Sequence, residues 1–436
     1  MNLYDYYREE MLPQWDIFMD MRQRGIHVDR SRLEAMRSRL TEEVAVVEKS
    51  IEGAVGWIPN TRSWKDMGRL FTELGVKLTK ADYTPTGRPK ADEDKIILYA
   101  SRFPRARDVL MNCLEIQSRR TRLSGFLGMA LDKDDYYHPS YDPGKTKTGR
   151  CSSEGADEGG PQLQNIPSSL RAIFIPDDEE CEFSQADQSQ AEARVVAWDA
   201  QDPLLIEAFE TKRDVHRIRG CMIYHNWSAR SGIPPDDLLA SVSVVCPRCA
   251  SLGEHKCNHS ERQVAKTCGH AFAYKMGIKK LIKLLRKIGV FIDEREGERI
   301  KGCVVSNHLV NWQNSFWRRL QKSPWLETPL GRKREFYGLL DEEMVREALS
   351  WFAQATVAQV TSKALIHIWT HRASLPPKAR IITQTHDSVL INHRKQDRDQ
   401  IYSLLQTAFN TPMTIRGNPL LIPIDIGSGP SWGEVH

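Results

Sequence analysis

CEFSQADQSQAEARVVAW, residues 181–198, changes its period in the middle. Cys181, Phe183 and Gln185 alternate with polar neighbours up to Asp187; beyond it Ala191, Val195 and Trp198 recur at helical spacing, so a strand is expected to hand over to a helix at a carboxylate. A second acid occupies a comparable place 200 positions later. In RIITQTHDSVLINH the apolar pairs and runs Ile381-Ile382 and Val389-Leu390-Ile391 flank a polar stretch, which predicts a tight hairpin with Asp387 at its tip. A lone Asp in a turn usually only caps or turns the chain. Two acids at strand ends can instead meet on adjacent strands and hold divalent metal through hard oxygen ligands, as two-ion phosphoryl transfer requires.

A third stretch gives those acids a context. In RQVAKTCGHAFAY the residues Arg262, Lys266, His270 and Tyr274 fall four apart, and such steps drift only slowly around a helix, so two cations and two flat rings share one face. Between Arg262 and Val290 stand eight Lys or Arg residues and no Asp or Glu, a run that attracts phosphates. A solvated basic helix would show the same run.

Taken in order, DQSQAEARVVAW, RQVAKTCGHAFAYKMG and THDSVL resemble the three polymerase motifs of family A DNA polymerases, and TKTGRCSS with LQNIP resembles the pair that precedes them. The likeness runs from about residue 8 to the C-terminal GSGPSW. It implies an α+β right-hand polymerase fold with an antiparallel-sheet palm, helical fingers and a helical thumb. The corresponding division is N-terminal helices and thumb over 1–135, palm over 136–204 and 340–436, and fingers over 205–339. It also implies roles. Asp187 and Asp387 would be catalytic, holding two Mg2+. Arg262, Lys266, His270, Tyr274, His216, Gln190 and Glu192 would bind the incoming nucleotide, with Glu192 as the gate against a ribose 2′-hydroxyl. Arg150, Gln164, Asn165, Arg346, Gln354 and His386 would line the primer-template. The chain departs from the family pattern at Gln188 for Tyr, His270 for Phe or Tyr, Lys275 for Gly, Ser350 for Asn and Ser388 for Glu. Those departures leave open a nucleic-acid-binding relic, and paired carboxylates also suit a metal-dependent nuclease.

The rest of the chain sets the frame. At 436 residues, 40% of them hydrophobic, it can bury two or three subdomain cores. Net charge is only +4, so local basic clusters rather than global charge argue for nucleic acid. No apolar run of 18 residues and no signal peptide is visible, so a cytoplasmic protein without membrane contact is expected. Met11 to Met21 and Ser31 to Ile51 read as helices broken at Gly25, with Asp29 or Ser31 capping the second. Lys80 to Glu93 reads as a mobile loop, and the six arginines between Arg102 and Arg122 as a face for a duplex backbone or for solvent.

Nine cysteines in an intracellular-looking chain favour thiols or metal ligands over disulfides. Within an insertion at about 228–260, Cys246 and Cys249 form a C-x-x-C knuckle, and Cys257 with His259 or His255 could complete a structural Zn2+ site. Plain surface thiols are the other reading. By resemblance the partners are primer-template DNA and dNTPs, with a separate exonuclease, helicase or other replication protein outside this chain. In the family a 3′-5′ proofreading domain precedes the region this chain resembles, and the expectation is that this chain does not excise a mismatched primer end.

Overall fold

The computed structural model describes residues 3–155, 160–224 and 259–435. Its organising element is a four-stranded antiparallel sheet of β1 (Cys181–Gln188), β2 (Arg380–Thr385), β3 (Ser388–Arg394) and β4 (Ile424–Gly429), in the order β4-β1-β3-β2. The strand, the handover and the hairpin expected from the sequence are all present. His386 and Asp387 alone connect β2 to β3, and His386 adopts φ +53° to make that two-residue turn. Burial does not follow the alternation of residue type along β1. Glu182 and Ser184 are as buried as Phe183, because Arg398 bonds Glu182 at 2.7 Å while His393 and Ser428 each meet the Ser184 hydroxyl at 2.6 Å. Buried polar groups persist when they are bonded.

Helices surround the sheet on both sides. At the N-terminus α1 (Leu12–Arg24) ends at Gly25, whose φ of +67° breaks it, and α2 (Arg30–Val55) begins where Asp29 accepts the Arg32 N–H. The far end of α2 packs with α3 (Glu93–Arg102) and α4 (Arg107–Thr121) around Ile51, Phe71, Tyr99 and Leu110, a separate helical core. The Lys80–Glu93 segment is tied down rather than free. Asp82, 2% exposed, accepts from Lys95 Nζ at 2.7 Å and from the Thr79 N–H and hydroxyl. Of the six arginines, Arg119 pairs with Glu43, Arg120 with Glu48, and Arg107 lies over the Phe291 ring, so half of that face is satisfied within the protein.

On the other side α5 (Ala191–Ala200) leaves β1, followed by α6 (Val215–Tyr224), α7 (His259–Ala273), α8 (Ile278–Lys287) and α9 (Asn307–Lys322). Val264, Cys268, Phe272, Leu281 and Ile300 form a small core of this lobe. The 29-residue α10 (Glu342–Thr370) runs through the main core, most of its length buried against α5 and α1, and α11 (Arg398–Ala408) covers the sheet. Its alanines let neighbouring elements approach closely. No helix among the described residues is long and apolar enough to cross a membrane.

Candidate active site

Asp187 is the penultimate residue of β1, and register decides what surrounds it. Asp425 on β4 is its direct partner on one side and Ser388 on β3 on the other, while the Gln188 N–H donates to the Asp387 carbonyl at 3.3 Å. Three carboxylates, from Asp187, Asp387 and Asp425, therefore meet at one end of the sheet. Asp187 is open to water from one side yet crowded by protein on the others. Burial first, then the Asp387 and Asp425 carboxylates, push its carboxyl up to about 6 against the opposing pull of Arg171 and Lys266. Asp387 is also raised, chiefly by burial. Burial disfavours the charged form of a carboxylate, and at Asp187 neighbouring like charges add to it. Asp425 went unrecognised as a site residue in the sequence, where Pro423-Ile-Asp-Ile shows only a closing strand.

Beyond β1 the chain turns through Ser189 and Gln190, the latter at φ +51°, into α5. That turn aims Glu192 back over the cleft. Arg150 Nη2 donates to its Oε1 and the Tyr274 hydroxyl donates to its Oε2 at 2.5 Å, so three of the expected nucleotide and primer contacts already touch one another. The predicted helix face exists, with Tyr274 just past the end of α7. Its members differ in availability. Lys266 is exposed and faces a cleft of about 1140 Å3 that it shares with His270, Tyr274, Lys280, Arg346 and Ser350. Arg262 instead donates to Asp214 Oδ2 at 2.7 Å. Burial works against the charge of Asp214, but the Arg262 bond and the Arg217 N–H outweigh it and hold the carboxyl below its ordinary range. His216 is 2% exposed, its ring 5.8 Å from that of His270, so it lies behind the nucleotide face rather than on it. Burial, then Arg219 and His270, press its pKa down to about 3.

The expected primer-template residues spread along the same side. Gln164 is buried and donates to Gln384 Oε1 at 3.2 Å, whereas Asn165 is exposed and bonds only Gln162. His386 is exposed at the hairpin tip, its carbonyl accepting from Gln384 Nε2 at 2.6 Å. Arg346 is exposed, and Gln354, two turns further along α10, is half-buried. Cys246, Cys249 and Cys257 lie outside the described residues, as does the His259 side chain, so the zinc expectation stands apart from the described geometry. Among the described residues no three His, Cys, Asp or Glu side chains stand at the spacing of a preformed metal cage.

A sheet bearing clustered carboxylates, flanked by a helix of phosphate-attracting cations and a second helical lobe, defines the class of right-hand nucleic-acid polymerases. The chain matches the model of DNA polymerase family A over residues 30–227 and 245–434, and it belongs to that family. It is 24% identical to DNA polymerase I of Geobacillus stearothermophilus over 96% of its length, and 25% identical to that of Bacillus subtilis over 98%. It spans 45% and 46% of those two proteins. Among solved structures it resembles the POL domain of Pol1 from M. smegmatis in complex with DNA primer-template and dNTP, with a TM-score of 0.75 and 23% identity, covering 97% of this chain and 70% of that one. The palm, fingers and thumb expected from the motifs are thus the fold of the chain.

Proposed function

We propose that the chain is a template-directed DNA polymerase that adds deoxynucleotides to a primer 3′-OH, with residues 1–135 as N-terminal helices and thumb, 136–204 and 340–436 as palm, and 205–339 as fingers. The observation that carries this reading is the convergence of Asp187, near the end of β1, and Asp387, in the turn leading into the neighbouring β3, with the exposed Lys266 of α7 acting electrostatically on Asp187 across the cleft. The donor set fits divalent metal. Hard carboxylate oxygens whose charged form is disfavoured first by burial, and at Asp187 also by neighbouring carboxylates, suit Mg2+, which commonly takes one or two carboxylates and completes its shell with water and phosphate. Asp187 and Asp387 would hold such ions, whose chemistry there would be to offset the charge that develops in phosphoryl transfer.

The chain's own groups do the remaining work. Lys266 draws the triphosphate into the cleft, and Arg262 joins it by exchanging its Asp214 partner for phosphate oxygens. His270 and Tyr274 supply flat surfaces for sugar and base, and Glu192, fixed by Arg150 and Tyr274, occupies the space a 2′-hydroxyl would need. Arg150, His386, Arg346 and Gln354 hold the primer end and template by geometry common to all base pairs. Positioning and charge neutralisation by these groups supply the acceleration.

The test is extension of a labelled primer on template DNA with Mg2+ and dNTPs. The expected result is growth by the nucleotides the template specifies. A primer that stays unextended, or only shortens, removes the proposal.

A further inference from the structure

Behind the nucleotide-facing side of α7 lies a small cavity that shares Glu192, His270 and Tyr274 with the proposed nucleotide site but reaches inward to Arg219, to which the proposed chemistry gives no task. Glu192, Phe209, His216, Arg219, Gly269 and His270 contribute to its wall. It leaves about 20 Å3 for the centre of a water-sized particle, which is room for one. Arg219 on α6 is 8% exposed and forms no hydrogen bond or ion pair with another described residue. The acid that influences it, Asp202, is already bonded to the Ser306 hydroxyl and to the N–H groups of Leu204 and Leu205. Glu192, the carboxylate on the wall, is engaged by Arg150 and Tyr274. Beside Arg219, His216 is 2% exposed and its Nδ1 has no partner.

A guanidinium keeps its charge in any protein environment, and burying one without an acceptor is costly. The chain nevertheless makes room for it. A Cβ on Gly269 would stand 2.6 Å from Arg219 Nη1, so a glycine in the middle of α7, unfavourable there compared with alanine, leaves the guanidinium its present place without a shift.

We propose that this cavity binds one small monatomic anion of the halide class, held by the Arg219 guanidinium with the His216 imidazole beside it. A water molecule there would accept hydrogen bonds but bring no countercharge, and in a low-dielectric site the charge dominates. Phosphate and other polyatomic anions exceed the space. The neighbouring histidines do not compete for the role, since burial and Arg219 both favour their neutral forms. The ion would join α6 to α7 directly behind His270, bracing the nucleotide face from the rear.

Two measurements on the whole chain test this. In crystals grown with sodium bromide, anomalous diffraction should show one bromine within hydrogen-bonding distance of Arg219. In solution at fixed pH and ionic strength, replacing acetate by millimolar bromide or chloride should raise the melting temperature saturably, roughly 1–2 °C per tenfold in concentration once past the dissociation constant. Arg219→Met should abolish that difference. If this variant does not fold, the salt comparison on the unaltered chain decides alone. Density for water only, with identical melting in acetate and halide, overturns the proposal.

Discussion

Asp187 faces Asp425 across two antiparallel strands, and Asp387 closes the group from the neighbouring turn. Replacing Asp187 or Asp387 by Asn should lower primer extension by roughly a thousandfold or more, because several kcal/mol of metal-borne charge stabilisation is removed. Primer-template binding should persist, measured by fluorescence anisotropy, since it rests on other cations. Glu192→Ala should raise ribonucleotide incorporation roughly tenfold or more relative to deoxynucleotide, read from single-nucleotide extension with each substrate. His216 makes a pH prediction. Its folded pKa, about 3, lies below the usual ~6.5, so between those values the unfolded chain binds a proton that the folded chain refuses. Stability should fall as pH drops from ~6.5 toward 3, and His216→Gln should flatten that part of a melting-temperature profile. Asp187 and Asp387 were legible because each interrupts a local pattern, a change of period or a hairpin. Asp425 was not, because its role comes from strand pairing with residues more than 200 positions away. The engagement of Arg262 by Asp214 is likewise a tertiary fact that the spacing of α7 cannot express.

At the scale of elements, periodicity carried the helices and failed for what holds loops. The Pro- and Gly-rich composition of Lys80–Glu93 suggested mobility, yet one buried acid anchors it through three bonds, one of them an ion pair with Lys95. Asp82→Ala should therefore cost about 2–3 kcal/mol in urea unfolding, the value of stranding several buried donors at once. The reverse applies at the end of α5, where Gln201 sits at φ +51° as C-cap, exposed and without need of its side chain for that geometry. Glycine takes this conformation without strain, so Gln201→Gly should stabilise by about 0.5–1 kcal/mol in the same assay. Lys275, also left-handed at φ +53°, stands where the family pattern has Gly, so one departure in the motif is a backbone cost, not a loss of chemistry.

Across the whole molecule, ion pairs join lobes that are remote in sequence. Lys287 on α8 meets Glu93 on α3 at 2.8 Å, with Lys283 and Lys287 near Asp94. Exposed pairs of this kind contribute about 0–1 kcal/mol each and are screened by salt. Charge reversal at Glu93 and Asp94 should consequently widen the molecule, seen as a larger radius of gyration by small-angle scattering, without lowering its melting temperature appreciably. Sequence patterns give each lobe its elements but not which lobes touch. Finally, the cysteines at 113, 151, 181, 221, 268 and 303, all those among the described residues, are at least partly buried. Burial pushes the thiols of Cys113 and Cys268 up to about 12 and that of Cys181 to about 11. Alkylating reagents attack the thiolate, so these positions are chemically silent at neutral pH. Rapid maleimide labelling of the native protein should therefore bypass Cys113, Cys181 and Cys268, so serine at any one of these three should leave the number of quickly titrated thiols unchanged while removing one from the count in urea.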